Sequence, residues 1–205
     1  MREMKVKEIL TFLDRTNELK SVPRFSSSLA HGGDTVAEHS WRLALMVFVI
    51  SRECKVAIDL PHAIGLALFH DLAEAKTGDI DAYAVMTNKV DREKKIIEEE
   101  RVMKEMTDDL SFGDWIFQFW RQYENQESIE ARFVRALDKI EAFLHIAERG
   151  VEAYIPKEFH ADYADKAVKS FDETTHHFPE LKDMLDAIKK DLKVQFEAAG
   201  IAWKE

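Results

Sequence analysis

The chain has 205 residues, 46% hydrophobic and 33% charged, with a formal net charge of −10 at pH 7. It is long enough to bury a full core as a single domain over 1–205, and its acidity excludes a broad nucleic-acid or anionic-membrane surface, which needs clustered Lys and Arg. Seven Gly and four Pro give too little turn punctuation for a sandwich or barrel and point to an all-α bundle, and the one cysteine, Cys54, permits no internal disulfide.

The N-terminal stretch MREMKVKEILTFLDR has no uninterrupted apolar core and no small-residue cleavage site, so no secretory signal is expected. The longest apolar run, 43–50, is too short to cross a bilayer, and a cytoplasmic protein is expected. A first helix is predicted over 5–19, with Ile9, Leu10, Phe12 and Leu13 apolar, followed by a loop over 20–34 that contains Pro23, three serines and a Gly pair. Thr35 and Glu38 have capping-box spacing, and the helix they open carries an apolar stripe of His39, Leu43, Met46, Val47 and Ile50. A third helix is predicted over 60–76, capped by Asp59, with Pro61 in its first turn and Gly78 ending it.

A strongly charged helix over 88–107 shows a thin stripe of Val90, Ile97, Val102 and Met106, and its charges read as a solvated face. The aromatics of 112–123 read as core or interface, and a helix runs from a Ser128 cap to Arg149. Two more helices, over 161–176 and 179–198, complete the chain without repeat or linker.

Ionisable residues stand on the apolar sides of three of these helices: His39, then the pair His70-Asp71, then Asp138 among Phe133, Val134, Leu137 and Phe143. Such groups are poor core residues unless something occupies them. Each alone fits a satisfied core histidine, a cap or an ion pair. Together, two imidazoles and two carboxylates are the ligand types for one divalent first-row metal, with open positions left for water and substrate. Glu74 follows His70 by four residues and so faces the same cavity.

The order His39, His70-Asp71, Asp138 resembles the H…HD…D signature of the HD-domain metal-dependent phosphohydrolases. The stretches TVAEHSWRLALM, LALFHDLAEAKTGDI and FWRQYENQESIEARFVRALDKIEAF resemble the YfbR-like 5'-deoxynucleotidase branch, over a motif-bearing core of about 8–150, while the C-terminal helices of 151–205 carry no such motif. The resemblance implies an HD-type helical bundle, often a homodimer, acting on a nucleoside 5'-monophosphate. It implies that His39, His70, Asp71 and Asp138 hold the metal, that Glu74 is the general acid/base, and that Asp79 lies beside substrate and assists. Members of the branch place an arginine before the proline of the first loop, where it meets the substrate phosphate. Ser21 stands there instead, which leaves Lys20 and Arg24 as the candidate phosphate cations, with Lys76 as a further cation near the site. Between Asp71 and Asp138 there is no histidine. The binuclear phosphodiesterase relatives carry histidines there, so one metal is expected, with Mn, Co, Ni, Fe or Zn all compatible. A phosphatase for another small phosphorylated metabolite, and a non-catalytic nucleotide-binding HD protein, remain as alternatives. Glu74 and Asp79 speak against the latter, since a structural metal needs neither.

The remaining candidates have plain structural readings. His31, His62, His176 and His177 are expected at the surface, Cys54 as a buried thiol and His145 as a core histidine on the face of Asp138. Arg42 and Arg132 are expected to tie helices by ion pairs. Trp41 is expected to pack into the core, with a base pocket as the alternative. Lys139 is expected to pair with Glu141 or Glu74, or to be solvated.

Overall fold

A computed structural model describes residues 2–24, 34–79, 92–150, 160–200 and 203. The described residues form helices α1 (Arg2–Asn17), α2 (Val36–Glu53), α3 (Leu60–Phe69), α4 (Glu74–Thr77), α5 (Arg92–Thr107), α6 (Gly113–Asn125), α7 (Ile129–Arg149), α8 (His160–His177) and α9 (Lys182–Ala198), with short 3₁₀ turns at Glu18–Ser21 and Pro179–Leu181. No strand occurs among them, and no helix is long and apolar enough to cross a membrane.

The helix starts follow their capping chemistry. Thr35 Oγ1 accepts from the Glu38 amide at 3.2 Å, and the Glu38 carboxylate accepts from the Thr35 amide at 2.8 Å, which completes the expected box at the head of α2. Asp59 accepts from the His62 amide at the head of α3, and Ser128 from the Ala131 amide at the head of α7. Ahead of α2, Arg24 N donates to Asp34 O and Val36 N to Val22 O, so the two ends of the first loop are clamped together.

Two apolar clusters hold these elements. Leu43, Val47, Leu66, Phe133, Leu137 and Ile140 of α2, α3 and α7 pack with Phe171, Leu185 and Phe196 of the C-terminal helices. Leu19, Val36, Leu72, Val102, Met106, Ile116 and Trp120 form the second, around α4, α5 and α6. The functional side chains described below lie where α2, α3 and α7 meet.

Several expectations are corrected. The helix expected over 60–76 is broken: α3 stops at Phe69, and amides 72, 74, 75 and 76 bond three residues back, to Phe69 O, Asp71 O, Leu72 O and Ala73 O. This tighter winding brings residues three apart toward one edge, and the Asp71 charge acts on Glu74. Of the apolar residues named for α1, which runs 2–17 rather than 5–19, Ile9, Leu10 and Leu13 are exposed and Phe12 packs inward. In α5, Ile97 is 68% exposed, and the inward stripe is Lys95, Glu99, Val102, Met103 and Met106; Val90 lies outside the described residues. Trp41 is 65% exposed rather than packed in the core. His62 is half-buried, with Nε2 3.0 Å from Gln122 Oε1, and Cys54 is also half-buried.

Gly113 opens α6 directly against the end of α5. A Cβ there would lie 1.9 Å from Thr107 O. Gly113→Ala is therefore expected to lower stability by about 1–3 kcal/mol, as overpacking against backbone does. Thermal denaturation checks this, and an unchanged midpoint would contradict it.

Candidate metal centre

Each histidine of the site is aimed by a hydrogen bond from its far nitrogen. His39, buried on the inner face of α2, has Nδ1 2.7 Å from Glu141 Oε2 of α7. His70, at the end of α3, has Nδ1 2.9 Å from the Ala67 carbonyl. With Nδ1 engaged, both rings turn Nε2 toward the same space. There His39 Nε2 lies 3.2 Å from Asp138 Oδ1 and 3.9 Å from Asp71 Oδ2, and His70 Nε2 lies 2.9 Å from Asp71 Oδ2. One donor atom each from His39, His70 and Asp138 falls within 4.8 Å of the others. Donors bound at about 2.0–2.2 Å to one ion stand at most about 4.4 Å apart, so a small closure suffices.

Two buried atoms support the fit of a cation. His70 Nε2 has no hydrogen-bond partner, because its approach to Asp71 is off the line of such a bond, and Glu74 Oε2 has none either. An orphaned imidazole nitrogen facing two carboxylates is what a divalent metal would satisfy. The donor set fits as well: two imidazoles and two carboxylates are ligands for a first-row divalent ion.

A further layer of side chains holds the carboxylates. Tyr123 donates to Asp138 Oδ2 at 2.7 Å, and Arg135 donates to the Tyr123 oxygen at 3.1 Å while lying over its ring. Burial and the Asp138 charge push the Tyr123 phenol well above its usual range, so it stays a donor. Glu141, fully buried, also accepts from Arg24 Nη1 at 3.0 Å, and Arg24 donates onward to Asp34 at 3.1 Å. Burial and Arg24 both work against a charge on His39, but the hydrogen bonds to Asp138 and Glu141 win and raise it to about 9. Burial raises Asp138, yet His39, His70 and Arg135 bring it well below the carboxylate range.

Glu74 sits beside this cluster, 3% exposed. Burial, then Asp71 and Asp79, raise its carboxyl well above the usual range, and Lys95 opposes them. Lys95 Nζ is 3.5 Å from Glu74 Oε1 and 3.2 Å from Glu99. Asp79, just beyond Gly78 at φ +73°, is close enough to influence both Glu74 and Arg24.

The structure thus brings His39, His70, Asp71, Glu74 and Asp138 together, with Asp79 and Arg24 at the margin. It does not bring Lys20, which is exposed and shares a surface groove with Thr35, Glu38 and Trp41. Lys76 pairs with Glu105 at 3.7 Å, and Lys139 with Glu173 at 3.7 Å. Arg42 makes the expected tie, bidentate to Glu148, whereas Arg132 is exposed and enters no ion pair among the described residues. His145 is buried, 3.7 Å from Asp34. His176 and His177 are exposed, and His31 lies outside the described residues. Sequence reasoning missed Lys95, Tyr123, Arg135 and the role of Glu141. Spacing offered a signal for two of them. Lys95 shares a helical stripe with Glu99, Val102 and Met106, and Glu141 follows Asp138 by three on the apolar face.

The model of the family described as "HD domain" matches residues 16–182. The 5'-deoxynucleotidase HDDC2 of Homo sapiens is 28% identical over 198 residues, 95% of this chain and 91% of that protein. Its Bos taurus counterpart is 34% identical over 146 residues, 69% of this chain and 68% of that one. A solved structure described as a "Predicted metal-dependent phosphohydrolase" from Magnetospirillum magnetotacticum MS-1 shares the fold, with a TM-score of 0.76 at 22% identity, over 95% of this chain and 96% of that one.

Seating an ion on His39 Nε2 displaces the proton that Asp138 favours there. Divalent-ion affinity is therefore expected to fall as pH drops below about 9, by up to about tenfold per pH unit for one proton released. Titration calorimetry from pH 9 to pH 7 measures this, and a flat affinity would contradict it.

Proposed function

Because the chain belongs to the HD-domain family, we propose that it is a metal-dependent phosphohydrolase converting (deoxy)nucleoside 5'-monophosphates to nucleoside and phosphate. The observation that carries this reading is the convergence of His39, His70, Asp71 and Asp138 beside a buried carboxyl, Glu74, one of whose oxygens has no partner. That its Homo sapiens and Bos taurus relatives are 5'-deoxynucleotidases supports the substrate class.

Phosphate monoester hydrolysis is among the slowest reactions in water, so the site must supply large electrostatic stabilisation. A single divalent ion, of Mn, Co, Ni, Fe or Zn, would be held by His39, His70, Asp71 and Asp138, and would supply Lewis-acid polarisation of the phosphoryl group and acidified water. Asp71 and Asp138 balance the ion's charge, so an anionic substrate is not repelled. Glu74, whose carboxyl is raised by burial beside Asp71 and Asp79, donates to the leaving sugar oxygen or orients the attacking water. Asp79 assists beside the substrate. Arg24, already at the back of the site against Glu141, is better placed than Lys20 to balance the phosphate charge.

Ser21 in place of an arginine favours a second reading, in which another small phosphorylated metabolite is the substrate. Phosphate release across nucleoside 5'-monophosphates and other phosphomonoesters separates the two. The first reading expects release from 5'-deoxynucleotides, loss with EDTA, recovery with added metal, and a fall in kcat of about 10²–10⁴ in Glu74→Gln at unchanged metal content. Release only from another phosphomonoester moves the assignment to the second reading, and release insensitive to EDTA defeats both.

We further read residues 1–205 as one domain, since α8 and α9 share the core of α2, α3 and α7, and place it in the cytoplasm on the single Cys54. A homodimer is supported by the α2 stripe Trp41, Leu45, Phe48 and Val49, all exposed. Sedimentation equilibrium is expected to give twice the 23.8 kDa chain mass, shifted toward monomer by Trp41→Glu. A monomeric wild type would contradict the dimer.

A further inference from the structure

Beside the metal centre, along α7, lies a cleft between α7 and α8. Arg132, Arg135 and Lys139 line it from α7 at spacings of three and four, so they lie along one side of that helix. Glu173, Thr174 and His177 of α8 close it, and its volume is about 260 Å³. Three fixed cations meet one carboxylate there, Glu173, which stands 3.7 Å from Lys139 and 3.9 Å from Lys169. On a chain of net charge −10 this local positive excess runs against the average surface.

One of the cations is held in place. Arg135 donates to the Tyr123 oxygen at 3.1 Å and lies 5.2 Å from the centre of its ring, so the cost of ordering this guanidinium is already met before any ligand arrives. Tyr123 in turn donates to Asp138, so one side chain stands between Arg135 and the metal centre.

We propose that this cleft binds the phosphate group of a small molecule, either inorganic phosphate or a phosphorylated metabolite. Guanidinium groups from Arg132 and Arg135 match phosphate oxygens with paired donors, and Lys139 adds a point charge. The volume is at the low end for ligand cavities and admits a small anion rather than a polyanionic chain.

Isothermal titration of the EDTA-treated chain with inorganic phosphate, and separately with a nucleoside 5'-monophosphate, tests this without dependence on hydrolysis. The expected result is phosphate binding that weakens at least tenfold in the double variant R132Q/K139Q, whose altered side chains are exposed and whose fold is checked by circular dichroism. Equal affinity for the two probes would assign the site to the phosphate group alone, and tighter nucleotide binding would assign it to a phosphorylated metabolite. Absence of binding at about 1 mM of either probe, or binding unchanged in the folded double variant, overturns the proposal.

Discussion

Glu141 is a carboxylate with no exposure to solvent, and the site is assembled around it. Its Oε2 takes the His39 Nδ1 contact at 2.7 Å and the Arg24 hydrogen bond at 3.0 Å. A buried charge of this kind is costly unless paired, and removing one partner from such a pair commonly costs about 3–5 kcal/mol. Here the pairing does structural work in two directions. It fixes the ring of His39, so that Nε2 faces Asp138 and Asp71. It also fixes Arg24 at the start of the first loop, and through Arg24 it reaches Asp34 at the loop's end. Helices α2 and α7, together with Arg24 and Asp34, are therefore held by one buried network.

The centre itself is a concentration of unbalanced negative charge. Asp71, Asp138, Glu74 and Asp79 stand close enough to shift one another or their shared neighbours. Two groups answer to this field: the hydrogen bonds to Asp138 and Glu141 raise His39 to about 9, and burial beside Asp71 and Asp79 raises Glu74. Both adjustments bear on chemistry. His39 Nε2, facing Asp138 and Asp71, is the atom a metal would take, and the raised Glu74 is the carboxyl suited to proton transfer. Lys95 of α5 holds Glu74 at 3.5 Å and Glu99 at 3.2 Å.

Much of this was legible in the sequence because helical periodicity reports what faces inward. The stripe of His39, Leu43 and Val47 and the setting of Asp138 among Phe133, Val134 and Leu137 both place ionisable groups where only a partner could tolerate them. Capping chemistry at Thr35, Asp59 and Ser128 fixed three helix starts. The break after Phe69 was not legible, since nothing in 70–73 interrupts a helical pattern, and tertiary packing decides between α and 3₁₀ winding there. Lys95 was hidden because charges on a Lys/Glu-rich helix look alike until a buried partner such as Glu74 selects one. Arg135 and Tyr123 were hidden for a similar reason: one reads as surface and the other as core, and only their joint approach to Asp138 gives them a role.

Anomalous scattering from crystals soaked in Mn²⁺ tests the central claim most directly. One peak per chain is expected, within about 2.0–2.3 Å of His39 Nε2, His70 Nε2 and an oxygen each of Asp71 and Asp138. A peak elsewhere, or an ion that leaves His39 or Asp138 outside bonding distance, would contradict it.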